Sequence, residues 1–317
     1  MPAETDFIAS LRALAASPAA RGLADDAAVL ELGGTRLVLT HDMLVEGVHY
    51  LPSDPPEDVA WKLLAVNLSD LAAKGARPVG VLMGYMLGDE AWDRAFVGGL
   101  GEALRSFGVP LLGGDTVAAA NGPRVLGLTA IGEAMGPVPA RSGARAGDLL
   151  FVSGTIGDAG AGLRVLTGAL SPSDAPSDAL AARYRRPEPR LAAGEALAPL
   201  VSAMMDVSDG LLIDAERMAA ASGVRIGIDL ALVPLSPAYR ARLGSDRAAR
   251  IDAATAGDDY ELLFAVPPER AATVSALSDL LGLPFTRIGR AAAGAGLDLT
   301  DAGEPLELPG RLGWEHG

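Results

Sequence analysis

The sequence predicts an α/β (α+β) protein built from two domains. The chain has 317 residues, a length that favours two domains over one. Short apolar runs typical of strands alternate along it with longer patterns at helical spacing. Residues 136–148 are rich in proline, glycine and charge, a composition typical of a domain boundary. We therefore expect an N-terminal domain over residues 1–138 and a C-terminal domain over residues 139–317.

In the N-terminal domain, helix and strand signals are mixed. Apolar residues at helical spacing from Phe7 to Leu14 indicate a first helix. Pro55–Asp58 has the signature of a helix start, and Gly75 has that of a helix stop. With the short apolar runs, these signals predict helices over residues 7–16, 56–74 and 90–107 and strands over residues 36–40, 79–87, 110–116 and 124–133.

In the C-terminal domain, a glycine-rich segment over residues 154–162 opens a helix, which suits an anion at the helix N-terminus. It matches neither the P-loop nor the Rossmann fingerprint. Residues 171–177 are predicted to form a surface loop, and a helix is expected to begin within residues 184–190. Further strands are predicted over residues 149–153 and 224–230, after residue 260, and up to residue 290.

Composition excludes several classes of function. Cysteine is absent, which excludes disulfides, thiolate catalysis and iron–sulfur clusters, and three histidines argue against a multi-histidine metal site. The net charge is −14 without any basic tract, so we expect no nucleic-acid partner. No export signal or membrane-spanning apolar stretch is visible, so we expect a cytoplasmic protein with no membrane partner. An acidic protein that binds an anion needs local cations or bound metal.

The stretch Asp206-Val207-Ser208-Asp209-Gly210 is the central functional candidate. Apolar residues precede it and an amphipathic helical pattern follows it, so two carboxylates and a hydroxyl lie at a predicted strand-to-helix corner. Oxygen-only ligands suit a hard cation such as Mg²⁺, which usually keeps waters and substrate phosphates. The alternative is an ordinary helix N-cap followed by glycine.

Other acidic residues, in the N-terminal domain, fit the same chemistry. Asp25–Asp26 is an adjacent pair whose mutual repulsion a cation would relieve, and Asp42 follows a predicted strand. Asp70 shares one helical face with Asn67 and Lys74. In each case a solvated turn or a solvated helix face is the alternative.

Two further segments could bind phosphate. Gly113-Gly114-Asp115 ends a predicted strand, where glycines let a phosphate approach backbone N–H groups and the aspartate can hold the accompanying metal. Arg141 and Arg145 are clustered cations, and arginine forks suit phosphate. A simple turn and solvated linker charges are the alternatives.

Seven acidic positions therefore stand out, most of them at predicted element ends: Asp25/Asp26, Asp42, Asp70, Asp115, Asp206, Asp209 and Asp258. Gathered in one cleft, these carboxylates would repel one another strongly unless divalent cations lay between them. Carboxylates without histidine or cysteine ligands predict Mg²⁺ or Mn²⁺ rather than zinc. Several Mg²⁺ ions in a glycine-lined cleft imply a polyphosphate, and hence a nucleotide-dependent phosphoryl transfer.

The chain resembles the thiamine-monophosphate kinase family of the aminoimidazole-ribonucleotide-synthetase-like superfamily. Each matching segment is short, but together they follow the family's order over nearly the whole chain. They are Asp25–Ala28, Thr40–Asp42, Glu46–Tyr50, Lys62–Gly75, Gly113–Thr116, Arg141–Ala144, Ser153–Asp158, Asp206–Gly210 and Gly257–Leu262.

The resemblance implies that ATP phosphorylates thiamine monophosphate, with ATP and several Mg²⁺ ions in a cleft between two α/β domains. It also implies a homodimer formed through the N-terminal sheet. By matching position, the metal ligands are Asp26, Thr40, Asp42, Asp70, Asp115, Asp206 and Asp209. The implied nucleotide contacts are Gly114, Asp115, Arg141 and Ser208, and the implied contacts with thiamine phosphate are His49, Asp258 and Trp314.

The implied chemistry agrees with the residue types. The acceptor is a phosphate whose second pKa is about 6, so its oxygen is mostly ionised at neutral pH and no residue is needed as a general base. Three positions depart from the family pattern. Ala24 replaces the usual glycine before the first aspartate pair, His41 replaces threonine, and Asp258 replaces a glutamate that is one methylene longer.

Two alternative functions remain at this point. One is another ATP-dependent enzyme of the same superfamily, of the aminoimidazole ribonucleotide synthetase or hydrogenase-maturation type. The other is a non-enzymatic acidic metal-binding protein, which would leave the ordered glycine and aspartate segments unexplained.

Overall fold

The computed structural model describes residues 2–118, 122–171 and 174–315, and the side chains from residue 6 onward. His316 lies outside the described residues. None of the helices within these ranges is long and apolar enough to cross a membrane.

The described part of the N-terminal half forms a five-stranded sheet and three helices. The strands are β1 (Ala28–Leu32), β2 (Thr35–Val45), β3 (Arg77–Leu87), β4 (Leu111–Ala118) and β5 (Val125–Glu133), and the helices are α1 (Pro2–Arg12), α2 (Pro56–Ala73) and α3 (Glu90–Phe107). The strand order is β1-β2-β5-β3-β4, with β3 parallel to β4 and the other neighbours antiparallel. Helices α2 and α3 bury one face of the sheet in an aliphatic core.

The described part of the C-terminal half forms a seven-stranded sheet with order β12-β11-β8-β10-β6-β9-β7. Its strands are β6 (Leu149–Ser153), β7 (Ala203–Val207), β8 (Arg225–Asp229), β9 (Glu261–Val266), β10 (Phe285–Ala292), β11 (Gly296–Asp301) and β12 (Glu304–Leu306). Its helices are α4 (Asp158–Leu166), α5 (Ala175–Arg185), α6 (Leu191–Leu197), α7 (Leu211–Ser222), α8 (Pro237–Leu243), α9 (Arg247–Thr255) and α10 (Ala271–Leu281).

Helix α2 joins the two halves. Its residues Ala72 and Ala73 share a hydrophobic cluster with Met204 of β7 and residues of β9. A Cβ at Gly194 of α6 would lie 1.9 Å from the Ala72 carbonyl oxygen, so only glycine permits the close approach of α6 to α2. Polar residues of α2 consequently lie between the two sheets.

The predicted bounds are confirmed for α3 and β6, and α2 agrees within one residue. Two predicted strand ends are wrong. Strand β2 continues to Val45, so Asp42 lies inside the strand, and β4 continues through Asp115 to Ala118. The glycines do not make a turn, because a Cβ at Gly114 would lie 1.9 Å from the Met83 carbonyl oxygen of the paired strand.

Two further predictions differ from the structure: the loop predicted over residues 171–177, of which 172–173 lie outside the described residues, gives way to a helix at Ala175, and no helix begins within residues 184–190. Helix α5 begins at Ala175 and is capped by the Asp174 carboxylate, which accepts a hydrogen bond from Ser177 N. This helix ends at Arg185, and α6 begins only at Leu191, because two prolines lie between them. The serine, proline and aspartate at the end of the 171–177 segment belong to the start of a helix rather than to a loop.

Candidate active site

The N-terminal side of the site is built on helix α2, which is buried along most of its length. Asn67 Oδ1 accepts a hydrogen bond from the Asp42 backbone N at 2.9 Å, which ties the helix to strand β2. The Thr40 hydroxyl donates to the Asp70 carboxylate. The Ser69 hydroxyl donates to Asp206 Oδ2 at 2.6 Å and so reaches across to the C-terminal half. These bonds satisfy polar groups that would otherwise be costly to bury.

The strand-to-helix corner between β7 and α7 forms the opposite side, as the sequence predicts. The Asp214 carboxylate accepts hydrogen bonds from Ser208 N and Asp209 N, both at 3.1 Å, and so fixes the loop. Burial raises the pKa of Asp214 to about 7, although Arg217 opposes this shift. Arg217 Nη1 also lies 2.5 Å from Asp209 Oδ2.

Three predicted metal ligands converge in this cleft and share one electrostatic environment. Burial raises the pKa of Asp70 well above its usual range, and the nearby charges of Asp42 and Asp206 add to this shift. Burial likewise raises the pKa of Asp206, with Asp26 and Asp42 reinforcing it. The pKa of Asp42 is also raised by burial, although His41 opposes the shift. We call Asp42, Asp70 and Asp206 the carboxylate triad.

The Asp25–Asp26 pair borders the triad but has a different environment. Burial alone would raise the pKa of Asp26, but ion pairs with Lys74 and Arg141 outweigh it, so the pKa is lowered. Lys74 Nζ lies 2.7 Å from Asp26 Oδ2, and Arg141 Nη2 lies 2.5 Å from Asp26 Oδ1. Arg141, predicted to bind ATP, is therefore engaged with Asp26 in this structure.

The donor set of the cleft fits Mg²⁺. The side chains that hydrogen-bond to the triad carboxylates, Thr40 and Ser69, offer oxygen, and no ion pair among the described residues involves Asp42, Asp70 or Asp206. Burial and the repulsion of neighbouring carboxylates raise their pKa values, and a bound cation would oppose that shift. No group of three or more acidic or histidine side chains within the described ranges is already arranged as a metal cage. Such a cage would require the triad to close around an ion.

The predicted substrate residues His49 and Asp258 are joined by Lys62 of α2. Lys62 Nζ donates to the His49 carbonyl oxygen at 3.0 Å and to Asp258 Oδ2 at 2.8 Å, and it lies 4.0 Å from the centroid of the Tyr184 ring. Tyr260 donates its hydroxyl proton to Asp258 Oδ1 at 3.1 Å. The carboxylate that departs from the family pattern is thus held from two sides.

Backbone bonds link the third substrate candidate to the corner. Trp314 N donates to the Asp209 carbonyl oxygen at 2.7 Å, and Asp258 N donates to the Ser208 carbonyl oxygen at 2.7 Å. The Trp314 side chain is 44% exposed, with the Arg311 guanidinium 5.4 Å from its ring centroid. The Trp314 backbone is therefore fixed to the corner between β7 and α7, with a partly exposed ring beside it.

Gly114 lies in the register row of Asp42, but the structure does not bring Asp115 to the other candidates. Asp115 forms one register row with Gly84, Gly127 and Met43, and residues in such a row share a face of the sheet. Asp42 is the neighbour of Met43, so it faces the opposite side, towards α2. Three strand spacings, roughly 14 Å, also separate Asp115 from β2.

Sequence reasoning missed Lys62, Ser69, Asp214 and Arg217. The signal for Lys62 and Ser69 was present, because both are polar residues among the apolar residues of α2, as Asn67 and Asp70 are. Asp214 lies four residues after Gly210, within the first turn of α7, where an acidic residue can accept N–H bonds. The partner of each residue comes from a distant segment, so only the structure identifies it.

Comparison with known proteins identifies the family to which this fold belongs. Residues 24–134 match the family model for the N-terminal domain of AIR synthase related protein, and residues 145–302 match that for its C-terminal domain. A curated thiamine-monophosphate kinase of Caulobacter vibrioides is 42% identical over 100% of this chain and 91% of its own length. The thiamine-monophosphate kinase of Escherichia coli K12 is 40% identical over 93% of this chain and 91% of its own length.

A solved structure gives the same result in three dimensions. "AaThiL complexed with AMPPCP and TMP" matches with a TM-score of 0.86 and 32% identity, covering 99% of this chain and 97% of that one. The matches to both domain models define the chain as an AIR synthase related protein. Within that class, the full-length relatives are decisive: the chain belongs to the thiamine-monophosphate kinase family.

Proposed function

We propose that this protein transfers the γ-phosphate of ATP to thiamine monophosphate and so produces thiamine diphosphate and ADP. Family membership supports this reaction. The observation that carries it is the convergence of Asp42, Asp70 and Asp206 between the two halves. A phosphate oxygen of the acceptor attacks the γ-phosphorus, and the bond between that phosphorus and the bridging oxygen of ADP breaks.

We propose Mg²⁺ as the metal of this reaction, held by the triad together with Asp209. Thr40 orients Asp70 through its hydrogen bond. When bound, Mg²⁺ would neutralise negative charge on the two phosphorylated ligands. Asp26 and Asp115 complete the ligand set that the resemblance implies.

The remaining residues bind and orient the substrates. Ser208 and Arg141 lie beside the triad and are proposed to contact the nucleotide. His49, Asp258 and Trp314 are proposed to contact thiamine phosphate, with Lys62 holding the first two in place. No residue is required as a general base, since the acceptor oxygen is already mostly ionised at neutral pH.

We further propose that the protein is a homodimer in which Asp115 serves the site of the other subunit. The sheet face opposite α2 exposes apolar residues, among them Met43, Leu82, Leu112 and Val117. A patch of this kind on a sheet whose edge strand β4 is exposed favours association. Because Asp115 lies on this outer face, it can approach a carboxylate triad only in a second copy.

The reaction is tested with purified protein, ATP, Mg²⁺ and thiamine monophosphate. We expect thiamine diphosphate and ADP in equal amounts, and no product when Mg²⁺ or thiamine monophosphate is omitted. Absence of thiamine diphosphate from a preparation that binds ATP would reject the proposed acceptor.

The dimer is tested by mixing two inactive variants, Asp70→Asn and Asp115→Asn, under conditions that exchange subunits. Each mixed dimer would contain one site with both aspartates intact, so activity should return. If mixing restores no activity although the subunits exchange, Asp115 does not act across the subunit boundary.

A further inference from the structure

Lys74 is a fully buried cation at the edge of the carboxylate cluster. Its Nζ contacts the Asp25 carboxylate, lies 2.7 Å from Asp26 Oδ2 and donates to the Met204 carbonyl oxygen at 3.2 Å. Three oxygens from two segments thus surround one ammonium group, which has three protons to donate.

The Asp25–Asp26 pair is further compensated by two arginines. Arg21 Nη1 lies 2.5 Å from Asp25 Oδ2, and Arg141 Nη2 lies 2.5 Å from Asp26 Oδ1. Both carboxylates are buried. Three positive groups therefore contact two negative ones, whereas among the described residues no lysine or arginine pairs with the triad.

We propose that Lys74 is a permanent internal cation that takes the place of a divalent ion at the Asp25–Asp26 pair. This inference rests on the proposed function and narrows the metal role that the resemblance implies for Asp26. A divalent ion on Asp26 would lie next to the Lys74 ammonium, and like charges at that distance repel strongly in a buried site. Bound metal therefore concentrates on the triad, whose carboxylates pair with no lysine or arginine of the described residues.

The test measures the number of bound ions and does not depend on turnover. Isothermal calorimetry with Mn²⁺, in the presence of the ATP analogue AMPPCP, gives the number of ions bound by the wild type and by Lys74→Met. We expect Lys74→Met to bind one more Mn²⁺ per subunit, because the position of the ammonium group, which Asp25 Oδ1 and Asp26 Oδ2 both face, is then open to a cation. Lys62→Met is the matched control: it removes another buried lysine of α2 that contacts Asp258 instead, and it should leave the count unchanged.

An equal or smaller Mn²⁺ count in Lys74→Met would overturn the proposal. If that variant does not fold without metal, Lys74→Gln keeps an amide that can donate to Asp25 and Met204, and it should show the same gain. Melting temperature gives a second measure, since Mn²⁺ should raise it more in either variant than in the wild type. A wild type that binds Mn²⁺ and AMPPCP but forms no thiamine diphosphate would reject the proposed function and leave this count valid.

Discussion

The Asp25–Asp26 pair and the triad of Asp42, Asp70 and Asp206 are neighbouring groups of buried aspartates with opposite electrostatics. Arg21, Lys74 and Arg141 surround the pair, and the pKa of Asp26 is lowered. The triad receives hydroxyl hydrogen bonds but no ion pair from the described residues, and the pKa of each member is raised.

This difference shows that residue type alone does not make a metal ligand. A buried carboxylate with a fixed cation is already stabilised, and adding a metal there gains little. A buried carboxylate beside other carboxylates is unstable until a cation arrives. We therefore expect metal affinity in this cleft to depend on where the chain has placed its own lysines and arginines.

The largest expected effect is a loss of activity, which we expect from a substitution in the carboxylate triad. Asp70→Asn should lower kcat by about 100-fold or more, on the scale of losing one electrostatic contact to the reacting charge. The variant should fold, and without metal it should be at least as stable as the wild type, because one of three repelling carboxylates is gone. Steady-state kinetics and chemical denaturation measure both quantities. Unaltered turnover would remove Asp70 from the metal set.

The second prediction concerns the Asp25–Asp26 pair, where we expect a loss of stability. Asp26→Asn should lower the free energy of unfolding by about 3 kcal/mol, because Arg141 loses its carboxylate partner and the buried Lys74 keeps only one of its two. Denaturation in urea measures the loss. Asp252→Asn is the control, since it breaks an exposed pair with Arg164 and should cost less than about 1 kcal/mol. Equal losses in the two variants would contradict the distinction.

The third prediction concerns the substrate end of the cleft. Lys62→Met should raise the KM for thiamine monophosphate about tenfold, because it removes roughly one charge-assisted hydrogen bond to Asp258. The KM for ATP should be unchanged. When Asp258 is already replaced by asparagine, the same lysine substitution should add little, because the two residues act through one contact. Independent, additive losses would show that Lys62 does not work through Asp258.

The smallest expected effect is a pH dependence of stability. Because burial raises the folded-state pKa of Asp70 and Asp206, the folded protein keeps protons that the unfolded chain releases above pH about 4. Metal-free stability should therefore fall as pH rises from about 4, by about 1 kcal/mol per unit for each such group. The slope should be shallower in Asp70→Asn, and denaturation at several pH values measures it. Identical slopes would mean that Asp70 does not hold a proton.

The sequence patterns predicted most of the helices and strands that have strong local signals. Helix α3 and strand β6 have the predicted bounds, since amphipathic spacing and apolar runs reflect local burial. Residues 171–177 were assigned to a loop because serine, proline and aspartate suit both loops and helix starts. The glycines beside Asp115 were taken for a strand end, although close pairing with Met83 explains them.

By itself, the sequence determined which chemistry is available to this protein and to which family it belongs. An aspartate-rich, cysteine-free chain with ordered glycine segments can hold hard cations and phosphates, and that follows from residue types alone. Only the tertiary structure decided which aspartates lie beside a lysine or arginine and which face one another. Charge interactions act through space between residues far apart in the chain, so no local pattern encodes whether a given carboxylate is already compensated.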